Sequence, residues 1–124
     1  MSGKVILLVE DEAFIAELLT SWLGRLGANI LWGNTGAEGI RLLTAQAGHI
    51  DVVIADFRLP DMTGDDMCVK MREVQPQVPV LLSSGRYQGE AEKLLTHTGP
   101  TCFIQKPFLL DDVFGKLTKL ANAS

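Results

Sequence analysis

The chain has 124 residues, 47% apolar and 21% charged, with a formal net charge of −4. That length suits one domain able to bury a core without disulfides, and an acidic balance with no basic cluster argues against a nucleic-acid or anionic-membrane surface. No apolar run reaches membrane-spanning length, Met1–Lys4 leads straight into an apolar run without a signal-peptide pattern, and Cys68 and Cys102 lack metal-ligand spacing, so two free thiols in a reducing cytosol are expected.

Val5–Val9 is an unbroken apolar run, the pattern of a strand covered on both faces of a parallel sheet. Glu10–Asp11–Glu12 breaks it. Phe14, Ile15, Leu18, Leu19, Trp22, Leu23 and Leu26 then recur at helical spacing until Gly27 stops the helix. Asn29–Trp32 predicts a short, weaker strand nearer a sheet edge. Thr35 followed by Glu38 has the capping-box pattern and opens a helix through Ile40, Leu43 and Ala47. Asp51–Ala55 is the third predicted strand and runs into Asp56. Pro60, Asp61 and Gly64 punctuate the turn that follows.

Met67, Met71 and Val74 predict a helix ending before Pro76. Pro79 opens a fourth strand, Val80–Ser83, where a proline at the first residue is tolerated. After a loop at Gly85–Gly89, Glu90–Thr98 predicts a short, weakly apolar helix. Thr101–Ile104 is the fifth strand. Leu110, Val113, Phe114, Leu117 and Leu120 mark a last amphipathic helix. Asp111 and Asp112 stand in its first turn and Lys116 and Lys119 toward its end, as the helix dipole favours. Five β-α repeats predict an α/β fold, a parallel sheet with right-handed crossovers and helices on both faces. Residues 1–124 read as a single domain, either free-standing or cut from a larger chain.

In such a sheet the carboxyl ends of the strands line one edge, where ligands bind. The first strand ends at Glu10 and Asp11, the third at Asp56, the fourth at Ser83, Ser84 and Gly85, and Lys106 follows the fifth just before Pro107. Three carboxylates side by side repel: two unit charges about 4 Å apart cost roughly 1 kcal/mol in water and about 4 kcal/mol at an effective dielectric of 20. Lys106 supplies one compensating charge. Hard oxygen ligands with open positions favour Mg²⁺ for the rest, and Mg²⁺ commonly recruits a phosphate oxygen. A carboxylate there can act as nucleophile and form an acyl phosphate, with Lys106 and a serine hydroxyl holding the transferred oxygens.

Each element has a plainer role when taken alone. Acids between strand and helix cap helices, Asp56 suits a turn, and a lysine before proline is usually solvated. Their convergence on one edge favours the chemical reading. His49 and His97 read as surface residues, and Met62, Met67 and Met71 as packing.

LLVEDE at Leu7–Glu12, IADFRLPDMTG at Ile54–Gly64, PVLLSSG at Pro79–Gly85 and FIQKPF at Phe103–Phe108 together give the chain its likeness to a known family. It resembles the receiver domain of bacterial two-component response regulators over nearly its whole length. The segment from SSGR to FIQKPF resembles, more loosely, receivers attached to hybrid sensor histidine kinases. The resemblance implies a doubly wound, flavodoxin-like five-stranded sheet of order 2-1-3-4-5. It implies Asp56 as phosphoacceptor, Asp11 as a direct Mg²⁺ ligand and Glu10 at the second acidic position, in contact with the metal directly or through water. Arg58 would lend its backbone carbonyl to the metal. Ser84 falls at the hydroxyl switch position, Lys106 at the phosphate-binding lysine, with a cis bond to Pro107, and Phe103 at the aromatic switch position.

The same resemblance implies a mechanism and partners. A histidine kinase or histidine phosphotransfer domain donates to Asp56, Ser84 moves toward the phosphoryl group, and Phe103 turns inward. The face made by the fourth helix, fifth strand and fifth helix then changes for a downstream partner. Such a protein is cytoplasmic, contacts neither nucleic acid nor membrane directly, and catalyses its own phosphorylation without being a turnover enzyme. Arg58 and Arg86 flank the expected phosphoryl site, and their cations are expected to shield the acyl phosphate.

Three alternatives stand beside this reading. A phosphorylation-independent pseudo-receiver would share the fold and act as an interaction module, but the acids, Ser84 and Lys106 are all present. A haloacid-dehalogenase-like phosphatase wants a second aspartate where Arg58 stands. A flavin-binding flavodoxin would cradle phosphate where Glu10 and Asp11 repel it.

Overall fold

The computed structural model describes residues 1–46, 48–85 and 99–121. Its elements are β1 (Val5–Val9), α1 (Ala13–Arg25), β2 (Asn29–Gly33), α2 (Gly36–Ala45), β3 (Val52–Asp56), α3 (Gly64–Val74), β4 (Val80–Ser84), β5 (Thr101–Gln105) and α4 (Leu110–Ala121). The strands form one parallel sheet of order β2-β1-β3-β4-β5, as expected, with the weakly apolar β2 at an edge. The helix predicted over 90–98 lies outside the described residues. Among the described helices none is long and apolar enough to cross a membrane.

The register shows why several strands outrun their predicted ends. Val9 stands opposite Gly33 and Ala55, Asp56 opposite Ser83, and Ser84 opposite Gln105. The ladder continues through polar positions because neighbouring strands still offer partners. Asp56 and Ser84 are therefore held by the sheet itself. Asp51, predicted to begin β3, lies just before it, and its Oδ2 accepts the Val5 N–H at 2.7 Å.

Each face of the sheet carries its own core. Leu43 of α2 and Met67, Cys68 and Met71 of α3 cover Leu7, Val9, Val53 and Leu82 on one side. Ala16, Leu19 and Leu23 of α1 and Val113, Leu117 and Leu120 of α4 cover Ile6, Leu8, Ile54 and Leu81 on the other. Fully burying one such leucine contributes roughly 1.5–3 kcal/mol. The predicted stripe on α1 proves wider than the sheet covers: Phe14 is 79% exposed and Leu18 is exposed too.

Thr35 caps α2 by accepting the Glu38 N–H at 3.1 Å, but the reciprocal half of the expected capping box is absent. The Glu38 carboxylate pairs instead with Arg41 one turn along, at 2.7 Å. Thr63 caps α3 in the same way as Thr35, accepting the Asp66 N–H at 3.1 Å.

Arg72 of α3 is buried and donates from Nη2 to the carbonyls of Val78 and Pro100 and to Thr101 Oγ1, at 3.0, 2.7 and 3.1 Å. Gly99 makes room for it: at φ +141°, a Cβ would fall 2.6 Å from Arg72 Nε.

Beneath α3, burial pushes the Cys68 thiol up from its ordinary 9.0 to about 11, with the Arg72 charge opposing and the Asp65 charge assisting. An unfolded chain releases this proton first, so the contribution is complete below pH 9.0 and is lost as pH rises through about 11. The full span corresponds to about 3 kcal/mol. Denaturant unfolding across this range should show a steeper alkaline loss of stability in the wild type than in Cys68→Ala; parallel curves would contradict it.

Candidate functional site

β1 delivers Glu10 to the carboxyl edge as a nearly sealed residue, 2% exposed. Its N–H still donates to the Gly33 carbonyl at 3.0 Å, extending the ladder past Val9. The indole Nε1 of Trp32, on β2, donates to the Glu10 carbonyl at 2.8 Å. One carboxylate oxygen, Oε1, accepts the Glu12 N–H at 3.2 Å, which turns the chain toward α1. The other, Oε2, faces Lys106 Nζ at 3.7 Å.

β3 delivers Asp56 half-buried. Its Oδ2 accepts from Lys106 Nζ at 2.8 Å and its Oδ1 from the Arg58 N–H at 3.2 Å. A carboxylate oxygen from each of Glu10, Asp11 and Asp56 lies within 4.8 Å of the others. Asp11 is exposed at the mouth of this cluster. The expected acids and Lys106 thus do converge.

The electrostatics follow from partial burial. Desolvation pushes the Glu10 carboxyl above its usual range, aided by the charges of Asp56 and Asp11, while Lys106 and the Glu12 N–H pull against it. Burial alone would depress the Lys106 ammonium. Its hydrogen bond to Asp56 and the charges of Asp56, Glu10 and Glu12 outweigh that and raise it. Lys106 is therefore firmly cationic, one positive charge among three acids. The remaining negative charge and the all-oxygen donor set fit a hard divalent ion such as Mg²⁺.

The two serines of β4 divide. Ser83 Oγ donates at 3.5 Å to the Ala55 carbonyl. Ser84 is buried at the last position of β4, and its carbonyl accepts the Lys106 N–H at 2.9 Å, tying β4 to the lysine. The Lys106–Pro107 bond is cis, as expected. Phe103 is buried against the core that holds Leu82 and Met67. The Arg58 side chain is exposed; Arg86 lies outside the described residues. His49 is exposed and the three methionines pack against the core, as read, while His97 lies outside the described residues.

Two residues of the site's surroundings escaped the sequence reading. One is Trp32, whose ring reaches Glu10. The other is Asp61, read only as a turn former, whose Oδ1 and Oδ2 accept the Gly36 and Ala37 N–H groups at 2.8 and 2.9 Å. Desolvation is the largest single influence and raises the Asp61 carboxyl, but the Ala37, Gly36 and Asp61 N–H groups and the Lys70 charge together outweigh it and hold the carboxyl below the usual carboxylate range. An acidic residue in a turn following a β-strand carries no signal of which helix it will reach.

The model of the response regulator receiver domain matches residues 6–118. The probable transcriptional regulatory protein TcrX of Mycobacterium tuberculosis is 33% identical over 115 residues, covering 93% of this chain and 48% of that protein. The chain thus spans about half the length of that relative. Two solved structures share the fold at 26% identity and a TM-score of 0.81. The receiver domain of the hybrid histidine kinase CckA matches 95% of this chain and 99% of its own. The response regulator protein TrrA of Thermotoga maritima, in complex with Mg²⁺–BeF, matches 94% and 98%. With the family match covering nearly the whole chain, and the sheet order and acidic edge in agreement, the chain belongs to the response regulator receiver domains.

Proposed function

We propose that Asp56 accepts a phosphoryl group from a phosphohistidine donor and that the resulting acyl phosphate switches a partner-binding surface. The observation that carries this reading is Lys106 Nζ, 2.8 Å from Asp56 inside a cluster of three carboxylates. One Asp56 oxygen attacks phosphorus as the P–N bond breaks, and the imidazole leaves with the bonding pair and takes up a proton. Lys106 passes from the free carboxylate to the phosphoryl oxygens without leaving the site. Ser84 donates its hydroxyl to the same group. Phe103 is already buried, so the inward turn expected of it is not needed, and the Ser84 bond to the phosphoryl group would hold the ring in place rather than draw it in.

Glu10, Asp11, Asp56 and the Arg58 carbonyl would hold Mg²⁺, which when bound supplies the positive charge that lets a phosphate approach three acids. The mixed set of one buried and two more open acids supports this, and a structural relative is described with Mg²⁺–BeF.

The donor is a histidine kinase or a histidine phosphotransfer domain. Exposed Phe14 and Leu18 of α1, beside a groove lined by Ile15, Leu18, Lys106, Pro107 and Phe108, offer it apolar contact next to the acids. The downstream partner reads the surface of β5 and α4. We place this single domain in the cytoplasm, acting through protein partners without touching nucleic acid or membrane.

Incubation with acetyl phosphate, read by intact mass, tests the chemistry. A single phosphoryl increment should appear with Mg²⁺ and vanish with EDTA. No increment under either condition would leave a phosphorylation-independent interaction module in its place.

A further inference from the structure

The connection between β3 and α3, residues 57–63, carries the Arg58 carbonyl. It closes on itself: the Leu59 N–H donates to the Met62 carbonyl at 3.1 Å, the Gly64 N–H donates to the Phe57 carbonyl, and Arg58 and Thr63 form an antiparallel bridge. Among the described residues no strand beyond this bridge pairs with its tip, which is fixed from another quarter. Asp61 reaches the start of α2 and accepts two N–H groups there, from Gly36 and Ala37. Met62 covers the same helix start so closely that a Cβ on Gly36 would fall 2.5 Å from its Cγ.

α2 is itself seated on β1. A Cβ on Gly39 would fall 2.6 Å from Val9 Cγ2, so the helix lies against the strand residue that precedes Glu10. Loop tip, helix and strand form one mechanical chain between the two sides of the acidic cluster. Thr35 takes only the Glu38 N–H, so Asp61 satisfies two further amides of the helix start and, because it stands on the loop, ties that loop to α2 as it does so.

We infer that Asp61 is a positioning residue: by pinning the 57–63 loop to the start of α2, it holds the Arg58 carbonyl where a divalent cation shared with Glu10, Asp11 and Asp56 needs it. This rests on the metal reading proposed above. Mg²⁺ demands near-ideal octahedral geometry, so a ligand on an untethered loop costs affinity in ordering it. Partners that orient metal ligands are typically worth ten- to a hundredfold in affinity, roughly, when removed.

Calorimetric titration of the full chain with Mg²⁺ tests this. Asp61→Ala is expected to weaken binding about tenfold, with Asp61→Asn, which keeps one acceptor oxygen, weakened less. Thr35→Ala, which removes only the cap, should lower the melting temperature and leave Mg²⁺ affinity unchanged. In metal-free Asp61→Asn, the Gly36, Ala37 and Arg58 amides should exchange with solvent faster than in the wild type, a comparison that remains decisive if Asp61→Ala does not fold. Unchanged affinity in both Asp61 variants, or an equal loss in Thr35→Ala, overturns the inference and leaves the phosphoacceptor reading intact. A wild type that binds no Mg²⁺ overturns both.

Discussion

Asp56→Asn is expected to abolish phosphoryl uptake from acetyl phosphate while leaving the fold intact. The amide is isosteric with the carboxylate and can still accept from Lys106 Nζ, so the end of β3 keeps its place. It lacks the anionic oxygen that attacks phosphorus. The same change reduces three clustered acids to two. Two like charges about 4 Å apart cost about 4 kcal/mol at an effective dielectric of 20, and solvent reaching this half-open edge screens much of that. The metal-free variant should therefore melt at or above the wild-type temperature. With Mg²⁺ present the order should reverse, because the wild type holds the ion more tightly and gains more from it by mass action. Intact mass and thermal melts with and without Mg²⁺ check all of this. A mass increment persisting in the variant would show that the phosphoryl group lands elsewhere.

Lys106→Ala should split two properties that a merely structural lysine would move together. The ammonium touches Asp56 at 2.8 Å and faces Glu10 at 3.7 Å, so it competes with any metal for the same carboxylates. Without it, Mg²⁺ should bind more tightly. Phosphorylation should nevertheless slow by on the order of 100-fold, the usual loss when one preorganised donor to a developing oxyanion is removed. Titration calorimetry gives the first quantity and the time course of acetyl phosphate labelling the second. Tighter metal with an unchanged rate would reduce Lys106 to a resting counter-ion. Weaker metal together with a slow rate would mark it as a structural support.

Sequence is legible where chain position maps directly onto space. An apolar run that stops at an acid puts that acid at the strand's carboxyl end, and parallel strands put all such ends on one edge. Glu10, Asp11, Asp56 and Lys106 were legible for that reason. Contacts that depend on where a helix lies were not. Asp61 meets amides 24 and 25 residues away, and Trp32 bonds a carbonyl 22 residues away. Neither separation carries a local signature. The apolar stripe of α1 misled for a related reason. Periodicity tells which residues share a face, but the sheet beneath decides how much of it is covered, and Phe14 falls beyond its reach. Arg72 carries no signal of its own in sequence, since a lone arginine in a helix is ordinarily solvated, and only the fold brings three oxygen acceptors around it.

The two ends of the sheet are fastened by different forces. At the amino end, Asp51 grips the Val5 amide, Gln75 Nε2 donates to the Ile50 carbonyl, and Arg72 clasps Val78, Pro100 and Thr101. These are directional bonds to main chain and hydroxyl, indifferent to what binds at the far end. At the carboxyl end, main-chain bonds such as that from the Lys106 N–H to the Ser84 carbonyl are joined by the ion pair of Lys106 with Asp56, whose strength depends on the charges around it. Added negative charge among the acids would alter that pairing and leave the amino-end bonds as they are. Rising ionic strength would likewise slacken the one end and spare the other.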